Sequence, residues 1–377
     1  MQFSFTNEQE DFRAILRRFF STRSPTSEVR KLMETEAGFD RDGWKKLNQE
    51  LGLTAVHIPE EYDGQGFGCV ELAIVLEEMG RALVCAPYFS SVVLGATAIL
   101  NAGTDAQKRK LLPGIASGDA TATLAFTEDS GQWDGASVTM AATEANGGWK
   151  LNGTKSFVVD GHTADLIVVL ARLPGSTGRD GLTLFTVRGD AAGLKRTPLK
   201  TMDPTRKLAR LQFDNVEAEL LGEAGKAAAP FDKTMTLAVV CLANEMAGGA
   251  DQLREAALDY AKMRMQFGRP IASFQSMKYK QADMLVDVEL AKASGLLRGG
   301  SPRRRRRRVA CDRLARQGQF QRSLYADRDP CGAGSRRHRL HLGRTTRISG
   351  SSARKVRKYS YGDAAHHREV MMQHMAS

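Results

Sequence analysis

The chain has 377 residues, 42% of them hydrophobic, enough to bury a large core and to divide into two or three domains. Its formal charge of +11 comes from one block: residues 294–360 hold 20 Lys/Arg against 3 Asp/Glu, leaving −6 for the rest. No apolar run approaches the roughly 20 residues of a membrane span, and the acidic start (Glu8, Glu10, Asp11) lacks a secretory pattern, so a cytoplasmic protein is expected.

The first 120 residues carry helical periodicity. Thr6-x-x-Gln9 is a capping-box start for a helix whose apolar face would be Phe12, Ile15, Leu16 and Phe19. Trp44, Leu47 and Leu51 mark another helix, closed by Gly52 as its C-cap. A turn-rich loop, Ile58 to Gly66, precedes a helix over Val70–Leu83 with Leu72, Val75, Leu76 and Met79 as core. From Ala120 to about Val216 the period becomes two. Strands are expected at Thr121–Phe126, Trp149–Leu151, Asp165–Ala171, Leu182–Val187 and Leu208–Phe213, with turns at Asn146-Gly-Gly148 and Asn152-Gly153. This is a small antiparallel β domain. Helical periodicity returns from 226, with one long helix over Leu237–Met265. The pair Gly248-Gly249 inside it costs about 1 kcal/mol per glycine against alanine, which points to close packing against another helix, or else a ligand, at that point. The expected fold is therefore α+β: an N-terminal helical domain (1–120), a middle β domain (121–225) and a C-terminal helical bundle (226–377).

The basic block interrupts that last domain. The amphipathic pattern stops near Ala293, and Gly299-Gly-Ser-Pro302 leads into six arginines, Arg303 to Arg308. One reading is a nucleic-acid-binding tract. The other is a change of reading frame. The stretch Ser335-Arg-Arg-His-Arg-Leu-His-Leu-Gly343 can be written AGT CGG CGG CAT CGG CTT CAC CTG GGA; read one base later, it becomes Val-Gly-Gly-Ile-Gly-Phe-Thr-Trp. Residues 294–360 cannot pack an apolar face as written and are expected to be disordered or misfolded. Cys69, Cys85, Cys241, Cys311 and Cys331 make no C-x-x-C pair, and His366-His367 has no spaced partner, so neither a disulfide framework nor a metal site is expected.

Four segments resemble the acyl-CoA dehydrogenase family, and with them the resemblance covers nearly the full length. They are Ile58-Pro-Glu-Glu-Tyr62 with its glycines, Leu124-Ala-Phe-Thr-Glu128, Asn152-Gly-Thr-Lys-Ser-Phe157, and Arg264-Met-Gln-Phe-Gly-Arg-Pro-Ile271 with Phe274-Gln275. The shifted-frame Gly-Gly-Ile-Gly-Phe and Gly362-Asp-Ala-Ala-His-His-Arg-Glu369 extend it, the frame recovering before the latter. The resemblance implies FAD as cofactor and an acyl-CoA thioester as substrate. The α-proton would pass to a carboxylate and the β-hydrogen, as hydride, to flavin N5. It also implies an electron-transfer flavoprotein-type acceptor and a homo- or hetero-oligomer, without membrane attachment.

The same resemblance assigns site residues. Arg264 would grip the FAD pyrophosphate, as guanidinium suits phosphate oxygens; Phe267 and Gln275 would contact the adenosine half across a subunit interface. Taken alone, Arg264 also fits a solvated cation at a helix end. Phe126 and Thr127 would face the flavin ring, with Phe157 and Val159 on a second strand against it. Val159 stands where the family commonly has threonine, and Gly131-Gln-Trp-Asp134 replaces its Gly-Ser-Asp; an altered substrate pocket and a mere strand-end cover at Trp133 both fit.

The catalytic base has no clear occupant. The two positions where branches of the family carry it hold Ala238 and Tyr361, and neither residue is a carboxylate. Glu245 is the nearest candidate, two turns beyond Ala238 and about 10 Å along the helix. As a base it would have to reach the proton it takes; as a cation partner or cofactor-side hydrogen-bonding group it would not. A non-catalytic FAD-binding subunit of a heteromeric dehydrogenase is therefore a second reading, and the arginine-tract nucleic-acid binder a third.

Overall fold

The capping box at Thr6 forms as its sequence predicts. The threonine hydroxyl accepts from Gln9 N–H, and the Gln9 side chain accepts from Thr6 N–H. It starts α1 (Asn7–Arg23) of the computed structural model, which describes residues 5–145, 147–201 and 203–296. Expectations for residues 297–360, including Arg303 to Arg308, and for Tyr361 and His366-His367 lie outside these residues. On α1 the buried pair is Leu16 and Phe20, while Ile15 is 52% exposed. The buried stripe thus lies one residue round from the face expected through Ile15 and Phe19.

α2 (Thr26–Glu34), α3 (Arg41–Leu51), α4 (Cys69–Ala82), α5 (Thr97–Ala102) and α6 (Asp105–Ala116) follow. Asp40 caps α3 at one end and Gly52, at φ 63°, ends it in the left-handed conformation a C-cap needs. α4 is buried nearly all round, with Leu72, Val75, Leu76 and Met79 joined by Ala73 and Ile74. Phe89–Ala96 is π-helical and wholly buried. Seven strands come next: β1 (Ala122–Ala125), β2 (Ala142–Ala145), β3 (Gly148–Val159), β4 (Leu166–Arg172), β5 (Leu182–Arg188), β6 (Leu194–Leu199) and β7 (Leu208–Leu221). Then come α7 (Ala228–Met263), a hairpin of β8 (Met265–Gln266) and β9 (Arg269–Pro270), and α8 (Gln275–Leu296).

The chain divides into two compact units. The one made of 30–69 and 85–239 holds the sheet, in the order β1-β4-β5-β7-β3-β2 with β6 on β7. β1 pairs with β4 in parallel, Ala122 opposite Leu166, so the sheet is mixed rather than purely antiparallel. β2 and β3 form a hairpin with Ala145 opposite Gly148. Asn152-Gly153 is not a turn: β3 runs through it, with a register shift between Leu151 and Gly153 that absorbs Gly153 at φ 137°. The sheet core is Leu151, Ile167, Val169, Phe185, Leu211 and Val216 with their neighbours. The π-helical segment carries β1 on its side: Ser91 Oγ accepts from Ala122 N–H at 3.0 Å, and a Cβ on Gly95 would come within 2.6 Å of the Ala122 Cβ.

The other unit comprises 5–29, 70–84 and 240–296. Its helices are tied by ion pairs to the buried carboxylates of Glu77, Glu78 and Asp251. Arg13 meets Glu77 at 2.8 Å, Arg17 grips Glu78 through two bonds of 3.0 and 2.7 Å, and Asp251 accepts from Arg81, Arg254 and Lys292. α4 and α7 cross where each has a glycine. A Cβ on Gly248 would lie 1.8 Å from the Glu77 carbonyl oxygen, and one on Gly80 would lie 2.0 Å from that of Glu245. Only glycine permits backbones that close. α7 begins well before the predicted Leu237, because Pro230 in its first turn fits helical φ and forgoes an N–H that has no helical partner there.

Candidate functional site

Two of the motif segments meet at the end of β1. Phe126 is half-buried against Phe231, ring centroids 5.5 Å apart. Thr127 is buried, and its hydroxyl makes no hydrogen bond among the described residues. Its carbonyl accepts from Ser156 N–H at 2.8 Å, joining the exit of β1 to β3. β3 is bulged there: Lys155 pairs with Leu211 and Val158 with Ala209, so Ser156 and Phe157 together oppose Arg210. Phe157 takes φ 58°, an uncommon conformation for a bulky side chain and one that clusters at functional sites. Val159 is buried at the end of the strand, its carbonyl accepting from Thr123 Oγ1 at 2.6 Å.

Beneath the bulge lies a lysine with no solvent exposure. Lys155 Nζ is 2.9 Å from Glu128 Oε1 and 3.4 Å from the Phe126 carbonyl oxygen. Burial pushes the Lys155 ammonium down to about 8, against the pull of Glu128 and with Arg172 adding to the push. Burial works to raise Glu128, but the Lys155 charge and hydrogen bonds from Thr139, Lys155 and Met140 outweigh it and hold the carboxyl at about 2. Ser156 Oγ donates to Asp129, which also accepts from Arg210. Both motifs stand out in the sequence, but sequence reasoning assigned Lys155 and Glu128 no role. The signal for them was a lysine inside a strand, which needs a carboxylate once buried.

In the helical unit, Arg264 sits at the base of the β8–β9 hairpin. Its N–H donates to Tyr260 O and its carbonyl accepts from Ile271 N–H at 2.8 Å. The guanidinium makes no ion pair or hydrogen bond among the described residues. Phe267 (φ 51°) and Gly268 (φ 75°) form the two-residue tip, with φ positive at both positions as a type I′ turn requires. Phe267 is 87% exposed, with its edge toward the Phe274 ring, and the Gln275 amide donates to Tyr279 Oη at 2.7 Å. The fold thus gathers Arg264, Phe267 and Gln275 on one hairpin and the helix start that follows it. On α7, Ala238 is fully buried, and Glu245 is half-buried with its backbone against Gly80.

Three family models match in succession: the acyl-CoA dehydrogenase N-terminal domain over 6–119, the middle domain over 123–216 and the C-terminal domain over 231–296. An acyl-CoA dehydrogenase of Bacillus subtilis is 33% identical over 300 residues, covering 76% of this chain and 77% of its own. The acyl-CoA dehydrogenase IpdE2 of Mycobacterium tuberculosis is 33% identical over 265 residues, 70% of this chain and 67% of its own. A solved structure described as a Tcur3481-Tcur3483 steroid ACAD variant superposes with a TM-score of 0.80 at 27% identity, covering 98% of each chain.

Proposed function

The chain belongs to the acyl-CoA dehydrogenase family, and from that premise we propose that it removes the α-proton and β-hydrogen of an acyl-CoA thioester with FAD as cofactor. The observation that carries the reading is the junction of two motif segments, Ser156 N–H to Thr127 O, at a bulge that holds Phe157 in the left-handed region.

The residues present fit the cofactor. Arg264 offers a guanidinium not engaged within the described chain, suited to two phosphate oxygens at once. Phe267 and Gln275, on the same hairpin and helix start, suit the adenosine half of an FAD held with a neighbouring subunit. Thr127 offers an unengaged hydroxyl at the strand exit, while Phe126, Phe157 and Val159 supply apolar walls that keep water from the ring. When bound, FAD would supply the acceptor for the β-hydrogen and its electron pair, and a carboxylate base would take the α-proton. An electron-transfer flavoprotein-type acceptor, an oligomeric assembly and a cytoplasmic setting belong to the same proposal.

A second reading is favoured by Ala238. A fully buried methyl group stands at one family position for the base, so the chain suits the FAD-binding but non-catalytic half of a heteromeric pair. Glu245 remains the candidate base if the chain acts alone. Anaerobic titration of the FAD-loaded full chain with acyl-CoA thioesters separates the two readings. Bleaching of the flavin band by the isolated chain supports the enzyme, and bleaching only after co-expression with a partner supports the subunit. A loaded chain that no acyl-CoA bleaches in either form contradicts both.

A further inference from the structure

We propose that Lys155 is a positioning residue for the cofactor strand: paired with Glu128, it clamps the exit of β1 to the β3 bulge and fixes where Phe126, Thr127 and Phe157 sit. This role rests on the reading of the strand as flavin-facing. Its geometry lies in one compact unit. Nζ reaches the Glu128 carboxylate at 2.9 Å and the Phe126 carbonyl at 3.4 Å, so one side chain of β3 holds both sides of Thr127. Ser156, the next residue, holds Thr127 itself through its N–H. Glu128 is fixed in turn by Thr139 N–H, Thr139 Oγ1 and Met140 N–H, from the segment leading into β2.

Stability alone gives a weak reason for this lysine. Replacing a buried ion pair by well-packed apolar groups is often neutral or stabilising, so such a pair does more to select one arrangement than to strengthen it. The arrangement here needs selecting: without support, a strand relaxes from a bulge that puts a phenylalanine in the left-handed region. The charged groups facing Lys155 are Glu128, from the loop after β1, and Arg172, on β4; Asp129 and Arg210 flank Ser156.

The test uses the full chain and Lys155→Met, which keeps the stem and removes the charge. Three results are expected. The variant keeps its far-ultraviolet circular dichroism, its Ser156 amide exchanges faster with solvent, and its FAD affinity falls about tenfold or more, the scale of a charged hydrogen bond. In the wild type, affinity should also fall as pH rises through about 8, where Lys155 loses its proton, and that step should vanish in the variant. A purely structural lysine would not produce that step. Unchanged Ser156 exchange together with unchanged FAD affinity overturns the proposal. If Lys155→Met does not fold, Glu128→Ala carries the same readouts, since it removes the oxygen that Lys155 Nζ meets; unchanged exchange together with unchanged FAD affinity there is equally fatal. If the wild-type chain takes up no FAD, Ser156 exchange alone decides the clamp.

Discussion

Glu128 and Lys155 share one contact, and each shifts from its ordinary value in a way that stability should report. Glu128 is held at about 2 when folded, against 4.5 for an unperturbed carboxyl. On acidification the unfolded chain takes up this proton near 4.5, while the folded chain resists to about 2. The stabilisation is therefore fully present above 4.5 and is lost as pH falls toward 2. Urea midpoints followed across that window should decline less steeply in Glu128→Gln than in the wild type. Equal slopes would show that the carboxylate gains nothing from its buried partner.

At the level of elements, the crossing of α4 and α7 makes the sharpest demand. Alanine in place of a helical glycine gains about 1 kcal/mol of propensity, whereas overpacking a tight contact costs about 1–3 kcal/mol. At Gly248 the added methyl would meet backbone at 1.8 Å, so Gly248→Ala should destabilise. At Gly249 the nearest atom is 3.5 Å away, and Gly249→Ala should be neutral or stabilising. Denaturant unfolding of the two variants checks the pair; stabilisation by Gly248→Ala would contradict the packing. The sequence pointed to this close approach through the glycine pair, but not to which glycine makes it, since that depends on the partner backbone. The same limit explains the other misses. Periodicity located α3, α4 and five strands, but β2 and β6 are short and polar on the surface side, with no run to mark them. Asn152-Gly153 has turn chemistry, and a bulge uses the same backbone freedom. Parallel pairing of β1 with β4 is a tertiary choice that no local pattern carries. For the proposed site, the family resemblance assigned Arg264, Phe267 and Thr127, while the Lys155–Glu128 contact joins segments 27 residues apart and becomes visible only when they meet.

For the molecule as a whole, the family likeness and the basic block divide the chain at nearly the same place. The C-terminal family model matches up to residue 296, and the charge block begins at 294. A change of reading frame over 294–360, the expectation drawn from the sequence, would account for both, and it would bear on function because the second half of the C-terminal bundle would be encoded there. The most direct measurement is FAD uptake, followed by flavin absorbance, of this chain beside the chain translated one base later across codons 294–360. Stoichiometric FAD is expected on the re-read chain, with weaker uptake by the present one. Failure of both to take up FAD would contradict the assignment of a flavin site to this fold.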